Sequence, residues 1–311
     1  MLKKLFVTSL LFIAVLLMLG IAQFCLSSSQ NPRIIRVPNN YPTIQEAVDA
    51  ASPEDTLLVA PGVYYENVVI NKPLRLVGED RNDTIIDGGG YNWDRMTKAI
   101  SVFSGNVTIE GFTIKNAFYG IYAEGVDGLI LQNLILTSNA MGVRVINTHA
   151  AIIQKSVAFL NVHGIFVEDS SMCIIKDNTL ANNWGGYPDL LLGGGIDLVG
   201  SNNSIVANNF LTEHRVATIE LAEAYRNIVA NNTTVKNGHG GIEIHGSHEN
   251  LIVNNTSIED ETGVYIGGGS TGNFVIGNFA SEGGVAGIAV ISSMNNFYTK
   301  NILSNKYAGF A

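Results

Sequence analysis

An all-β solenoid, a parallel β-helix with an N-terminal capping helix, is the fold this sequence predicts, and three observations predict it. The first is a period: Gly-Ile or a near variant recurs at Gly120, Gly142, Gly164, Gly195, Thr218, Gly241, Gly263, Gly287 and Gly309, at intervals of 22, 22, 31, 23, 23, 22, 24 and 22 residues. The second is a matching series of asparagines at Asn133, Asn178, Asn209, Asn232, Asn255, Asn278 and Asn301, with Ser156 in the second place. The third is composition, with 33 Gly, 33 Asn and only 14% charged residues in 311. Such a chain is made of short strands and tight turns. A repeat of about 22 residues is one coil, and coils stack at the inter-strand spacing of about 4.8 Å. Asparagines at one turn of every coil then bond one another in a buried ladder. That assigns Asn232 and Asn255 a structural role although both read as glycosylation sequons, and leaves Asn82 and Asn106 as the candidate glycan sites.

The first elements follow in order. Lys3 and Lys4 precede an apolar run from Leu5 to about Ala22, with Gly20 and Ala22 as a small-x-small cleavage signal. Residues 1–30 therefore read as a signal peptide, or as an N-terminal membrane anchor if uncleaved, and the protein as exported to the periplasm, cell surface or exterior. Residues 31–311 read as one β-helix domain. In PTIQEAVDAA, Thr43 and Glu46 form a capping box, and Ile44, Ala47, Val48 and Ala51 keep helical spacing, which fits a short helix over the open end of the coil. The segments TLLVAPG, ENVVI, PLRLVGE and DTIIDGG read as the strands that lead into the regular coils. At AGFA no capping element is visible, so the stack is expected to meet a partner or to continue there. Two cysteines, Cys25 and Cys173, make no disulfide framework, and a net charge of -9 excludes a nucleic-acid partner.

The segment TIQEAVDAASPEDTLLVAPGVYYENVVINKPLRLVGE resembles the opening of pectin-lyase-like right-handed β-helix proteins. The later coils are similar to the NosD-type family and to carbohydrate-binding and sugar-hydrolase repeats. The resemblance implies a right-handed coil over about residues 34–311 and a carbohydrate partner. The aspartate motifs of pectin methylesterases, polygalacturonases and mannuronan epimerases are missing, so it transfers no catalytic residue. The NosD likeness suggests copper, but the chain has no dense His, Met or Cys cluster, and copper is not expected.

Aligning the strands after each Gly-Ile step gives an outward column of Tyr122, Arg144, Phe166, Asp197, Glu220, Glu243, Tyr265 and Ala289 between inward aliphatics. Asp197, Glu220 and Glu243 form an acidic row, expected to be catalytic or to bind calcium, since like charges this close raise a pKa or recruit a cation. Tyr122, Arg144, Phe166, His245 and Tyr265 are the expected sugar-binding residues. Trp184 and Tyr187, in the one interval longer by about nine residues, are expected to wall the row. Arg144 and Arg215 are the candidate bases of a lyase reaction, and Glu220 with Glu243 the simplest pair for a hydrolase. His245 and His248 form an H-x-x-H of weak metal-binding value. The function that follows is an exported protein that binds polysaccharide along this face; whether it also cleaves it is open, and if it does it is a lyase or a glycoside hydrolase. The competing reading is a non-catalytic surface or envelope scaffold, or a NosD-like periplasmic accessory protein, with the three acids serving only solubility and protection against edge pairing.

Overall fold

In the computed structural model, residues 31–90, 94–183, 194–304 and 307–311 are described. Among them, Ile34–Ala311 forms one compact unit, a parallel solenoid of about 11 turns. Each turn contributes one strand to each of three parallel sheets, of twelve, eleven and eleven strands among the described residues. The first sheet runs from Ile34–Val37 to Phe297–Thr299, the second from Gly62–Tyr64 to Ile302–Ser304, and the third from Val68–Ile70 to Ala308–Phe310. The expected opening strands are Thr56–Val59, Val68–Ile70, Arg75–Gly78 and Thr84–Asp87.

The strands are short because each makes only one side of the coil. Most have three residues, and the middle one is usually the one that points inward, as in Leu131, Ile153, Ile175, Val206, Val229 and Ile252 of the first sheet. These aliphatics join one continuous core cluster. The described helix Ile44–Ala50 (α1) starts at Thr43, whose hydroxyl accepts from the Glu46 amide at 3.2 Å. The carboxylate of Glu66 accepts from the next free amides, those of Ile44 and Gln45. Ile44, Ala47 and Val48 of α1 are buried in the core cluster beside the first strands.

The glycine period has a steric cause. A Cβ on Gly120 would lie 2.5 Å from the carbonyl oxygen of Gly142, and one on Gly142 would lie 2.6 Å from that of Gly164. Successive coils approach too closely at these glycines for a Cβ without a shift of the backbone, and Thr218 is the one non-glycine in the series.

The asparagine ladder is present and buried from Ser156 through Asn178, Asn209, Asn232, Asn255 and Asn278. Asn178 Oδ1 accepts only from the Ser156 amide, and from Asn209 onward each Oδ1 accepts two bonds from the preceding coil, one from a backbone amide and one from a side-chain amide. Asn232 Oδ1, for example, accepts from Asn209 N and Asn209 Nδ2, both at 3.0 Å. Its own Nδ2 donates to Asn255 Oδ1 at 3.0 Å and to the Val206 carbonyl at 2.9 Å. Asn133, expected in this series, is not in it. It is an exposed turn residue in the left-handed region at φ 51°, and the ladder position belongs to Leu134, whose amide donates to Ser156 Oγ. Asn is common both at ladder positions and at left-handed turns, and the two lie one residue apart.

Three further ladders follow the same period and were not expected. One runs Asn139, Asn161, Asn183, His214, Asn237 and Asp260. Another runs Ser204, Asn227, Asn250, Asn273 and Asn296. A serine ladder joins Ser170 to Ser201, and Ser247 to Ser270 and Ser293.

His214 is the misfit. Its Nδ1 accepts from the Asn183 amide at 3.2 Å, while Nε2 faces the Leu180 carbonyl without completing a good hydrogen bond. Burial pushes its pKa down to about 4 from 6.5. The native state thus holds His214 neutral where the unfolded chain takes up a proton. This contribution to stability is complete above pH 6.5 and is lost as pH falls to about 4.

Asn232→Ala should lower unfolding free energy by about 2 kcal/mol or more, because it strands buried groups of two coils, as denaturant titration would measure. His214→Asn should complete its ladder and remove up to about 3 kcal/mol of the loss between pH 6.5 and 4. Equal acid sensitivity of the two proteins would contradict that account.

Candidate functional site on the third sheet

Strand register places the expected column in one line. Tyr122 pairs with Arg144, Arg144 with Phe166, and Phe166 with Asp197. Asp197 pairs with Glu220, Glu220 with Glu243, Glu243 with Tyr265, and Tyr265 with Ala289. The flanking inward residues, such as Ile219, Leu221, Ile242 and Ile244, are buried. Glu243 and His245, two residues apart on the strand Gly240–His245, lie on the same face of the sheet.

The three carboxylates do not share one environment. Asp197 and Glu243 are each 3% exposed, whereas Glu220 is half-buried. An exposed row was expected, and histidines are the reason for the difference. His163 Nδ1 lies 2.8 Å from Asp197 Oδ2. His239 Nδ1 lies 2.5 Å from Glu243 Oε1, which also accepts from the Gly240 amide at 2.8 Å. His245 Nε2 lies 3.0 Å from Glu243 Oε2, so both oxygens of Glu243 are engaged. An ionised carboxylate only accepts, so each of these ring nitrogens carries a proton toward it.

The charges sort accordingly. Burial alone would raise the Glu243 pKa, but the bonds from His245 and His239 hold it below the usual value. His245 is raised in turn, chiefly by its bond to Glu243. Glu220 has no hydrogen bond among the described residues. Burial, and after it the charge of Asp197, pushes its pKa up to about 7. Three stacked acids have thus separated into two held by histidines and one poised between its forms near neutrality.

The rest of the column is built from rings and one arginine. Tyr265 packs against His245 with centroids 5.2 Å apart, and Phe166 against His163 at 5.4 Å. Arg144 donates to Glu168 Oε2 at 2.6 Å and to the Tyr119 hydroxyl at 3.0 Å. Burial is the largest influence and opposes its charge, but the bonds and charges of Glu168 and Tyr119 together outweigh burial and raise its pKa. Arg144 is therefore no base, which corrects the lyase role expected of it. Arg215 is exposed beside the neighbouring coil. Trp184 and Tyr187 lie outside the described residues, as do residues 1–30. His248 sits at an exposed turn with Nδ1 3.0 Å from the Thr271 hydroxyl and does not join His245.

A calcium site in the acidic row is not supported. Among the described residues no group of three or more His, Cys, Asp or Glu side chains could hold a metal ion. The chemistry agrees: Glu243 spends both oxygens on histidines, and His239 and His245 point their donors at that carboxylate. For the same reason these donors do not fit copper.

Sequence reasoning missed His163, the first residue of its strand, and His239, which stands just before its strand; they lie one and two residues before the Gly-Ile step. Their signal was available. His163 immediately precedes Gly164, and His239 stands four residues before Glu243.

The family described as a right handed beta helix region matches residues 158–303, and the periplasmic copper-binding protein (NosD) family matches residues 48–187. Each of these matches covers a little less than half of the chain, and the fold they share with it is the right-handed parallel β-helix. Among curated proteins it is similar to a cell surface glycoprotein of Methanothermus fervidus, 32% identical over 120 residues, which are 38% of this chain and 19% of that protein. The match thus spans about a fifth of that relative. Among solved structures it is similar to a DFA-IIIase of Arthrobacter chlorophenolicus A6 in complex with GF2, with TM-score 0.65 and 14% identity over 86% of this chain and 94% of the other. An alginate lyase of Paenibacillus sp. str. FPU-7 has TM-score 0.59 and 15% identity over 89% and 99%. A periplasmic alginate epimerase has TM-score 0.55 and 15% identity over 85% and 83%. At these identities the likeness to the solved structures is one of fold.

Because the folded state favours protonated Glu220, its contribution to stability is fully present below pH 4.5 and is lost as pH rises through about 7. Glu220→Gln should therefore raise the thermal midpoint at pH 8 and change it little at pH 4. A variant equally stabilised at both would show that Glu220 does not titrate in this window.

Proposed function

We propose that this chain is the β-helix of an exported protein that binds a polysaccharide along the third sheet and cleaves it by hydrolysis, with Glu220 as the proton donor. The observation that carries the reading is the environment of Glu220. It is half-buried, free of hydrogen bonds among the described residues, held near pKa 7, and set between two acids that histidines keep in place. General acids need a pKa near the operating pH, and structural surface carboxylates have no cause to be there.

The partner of Glu220 is Asp197. Neighbouring strands put their residues about 4.8 Å apart, close to the roughly 5–5.5 Å of retaining glycosidases. Glu243, the partner preferred from sequence, has no free oxygen and instead positions His239 and His245. In this reading Glu220 gives its proton to the glycosidic oxygen as the bond to the anomeric carbon breaks, and Asp197 forms the new bond to that carbon. Water then hydrolyses the ester, with Glu220 as base. A lyase reaction has less support, because it loses the calcium ion and Arg144 as a base, which leaves only the exposed Arg215.

Export rests on the apolar N-terminal run and fits the periplasmic and cell-surface names of the sequence relatives. The solved relatives named for sugar chemistry share the scaffold on which such a groove would lie. The surface-glycoprotein relative favours a second reading, a non-catalytic scaffold that uses the face only for binding.

The test is a panel of neutral and acidic polysaccharides with the purified chain. Cleavage should decline above about pH 7 as Glu220 loses its proton. Glu220→Gln should reduce it by roughly 10²- to 10⁴-fold while binding persists. Binding without cleavage of any polysaccharide by the unaltered protein would favour the scaffold. If the combined Asp197→Asn, Glu220→Gln and Glu243→Gln protein keeps full binding and activity, the face is ordinary surface.

A further inference from the structure

The same sheet carries a second feature toward its N-terminal end that the acidic row does not use. A cavity of about 480 Å³ is lined by Arg95, Lys98, Tyr119, Tyr122 and Arg144, among other residues. Tyr122 and Arg144 belong to the column itself, and Tyr122 pairs in register with Ser101, which also lines the cavity. The cavity therefore opens on the face that bears Glu220. Three strand steps, Arg144 to Phe166 to Asp197 to Glu220, separate the two, a distance of about 14 Å at the usual strand spacing.

Its charge is opposite to that of the chain. The protein carries 27 acidic and 18 basic residues, yet three of its cations gather here and, among the described residues, no acid lines the cavity. Arg144 is neutralised by Glu168. Arg95 and Lys98 form no ion pair among the described residues, and Lys98 Nζ instead sits 3.9 Å over the ring of Tyr122. Cation and ring together make a wall that meets the flat side of a sugar with the ring and its anionic substituent with the ammonium. Tyr122 donates its hydroxyl hydrogen to Glu124 Oε2 at 2.7 Å, and burial followed by this bond pushes its pKa up to about 12, so it adds no negative charge. Tyr119 is fixed by the guanidinium of Arg144 and packs against Tyr122 at 5.3 Å.

We propose that this cavity is a subsite for a sugar unit bearing a carboxylate or sulfate group, and that the substrate of the proposed reaction is an anionic glycan held by that unit several residues from the bond cleaved. The proposal rests on the functional reading above and adds the substrate class. It also answers the repulsion that an acidic protein offers an anionic chain: the charge is met at one place, and only near Glu220 does the chain lie beside acids. Arg95 and Lys98 meet the anion, the tyrosine rings carry the sugar ring, and Phe166 spans the interval between cavity and acids.

The test measures calorimetric binding of the full chain to an oligouronate, a sulfated oligosaccharide and a neutral oligosaccharide of matched length, with inorganic sulfate alone as a further arm. At least one charged oligosaccharide should bind at least ten-fold more tightly than the neutral one, and more weakly as salt rises. Lys98→Met and Arg95→Gln should each reduce that binding roughly ten-fold, as loss of a charge-assisted contact does, and leave neutral binding unchanged. Equal affinity for charged and neutral oligosaccharides, or no effect of either cavity substitution, would overturn the subsite and leave the acid-base reading standing. Inorganic sulfate binding as tightly as the oligosaccharides would reduce the cavity to a simple anion site and overturn it too. Failure of every oligosaccharide to bind would sink both.

Discussion

A buried asparagine amide in this coil can be satisfied only by its neighbours along the stack, and that requirement fixes almost everything else. Its oxygen takes two donors from the coil before it, and its nitrogen gives to the coil after it and to a carbonyl behind it. The bonds run one way, so a residue that only accepts can end a ladder but not begin one. Asp260 shows the rule. It accepts from Asn237 N, Asn237 Nδ2 and the hydroxyls of Thr234 and Ser257, and burial still raises its pKa. Left unpaired, each such buried group would cost about 1–3 kcal/mol, so a one-residue slip between coils is strongly disfavoured.

The fixed register in turn makes the site. Asp197, Glu220 and Glu243 are far apart in sequence, but the stack leaves no choice about their spacing. What differentiates them is which turn supplies a histidine. His163 reaches down one coil to Asp197, and His239 and His245 close on Glu243 from both ends of its own strand. Glu220 has Val216 and Ala222 where Glu243 has His239 and His245, and Gly194 in the coil before it where Asp197 has His163, so it keeps a free carboxyl. A carboxyl half out of water beside a buried acid is raised, and that is a property of the stack rather than of the residue.

Much of this was legible in the chain. The Gly-Ile period gave the column with the register the strands adopt, because a glycine that cannot hold a Cβ and an aliphatic that must point inward leave a single alignment. The asparagines were harder to read. Asn133 matched the period and proved to be a turn, since ladder and turn sites ask for the same residue type at adjacent positions. The burial of Asp197 and Glu243 was not legible, because it depends on side chains from neighbouring turns, and sequence alignment of strands says nothing of where a histidine ring lies. The expected calcium failed for the same reason: counting carboxylates in a row ignores what already occupies their oxygens.

The interval between Gly164 and Gly195 carries about nine residues more than its neighbours, yet Ile165 still pairs with Ile196 and Val167 with Leu198. The strand that bears Asp197 thus takes its position from the coils above and below and not from the length of chain that leads into it. Sequence can be added or removed at that joint without moving the carboxylates. A lineage could change the length of chain at the joint while the spacing of the column next to it stayed constant, two traits free to evolve at different rates on one strand.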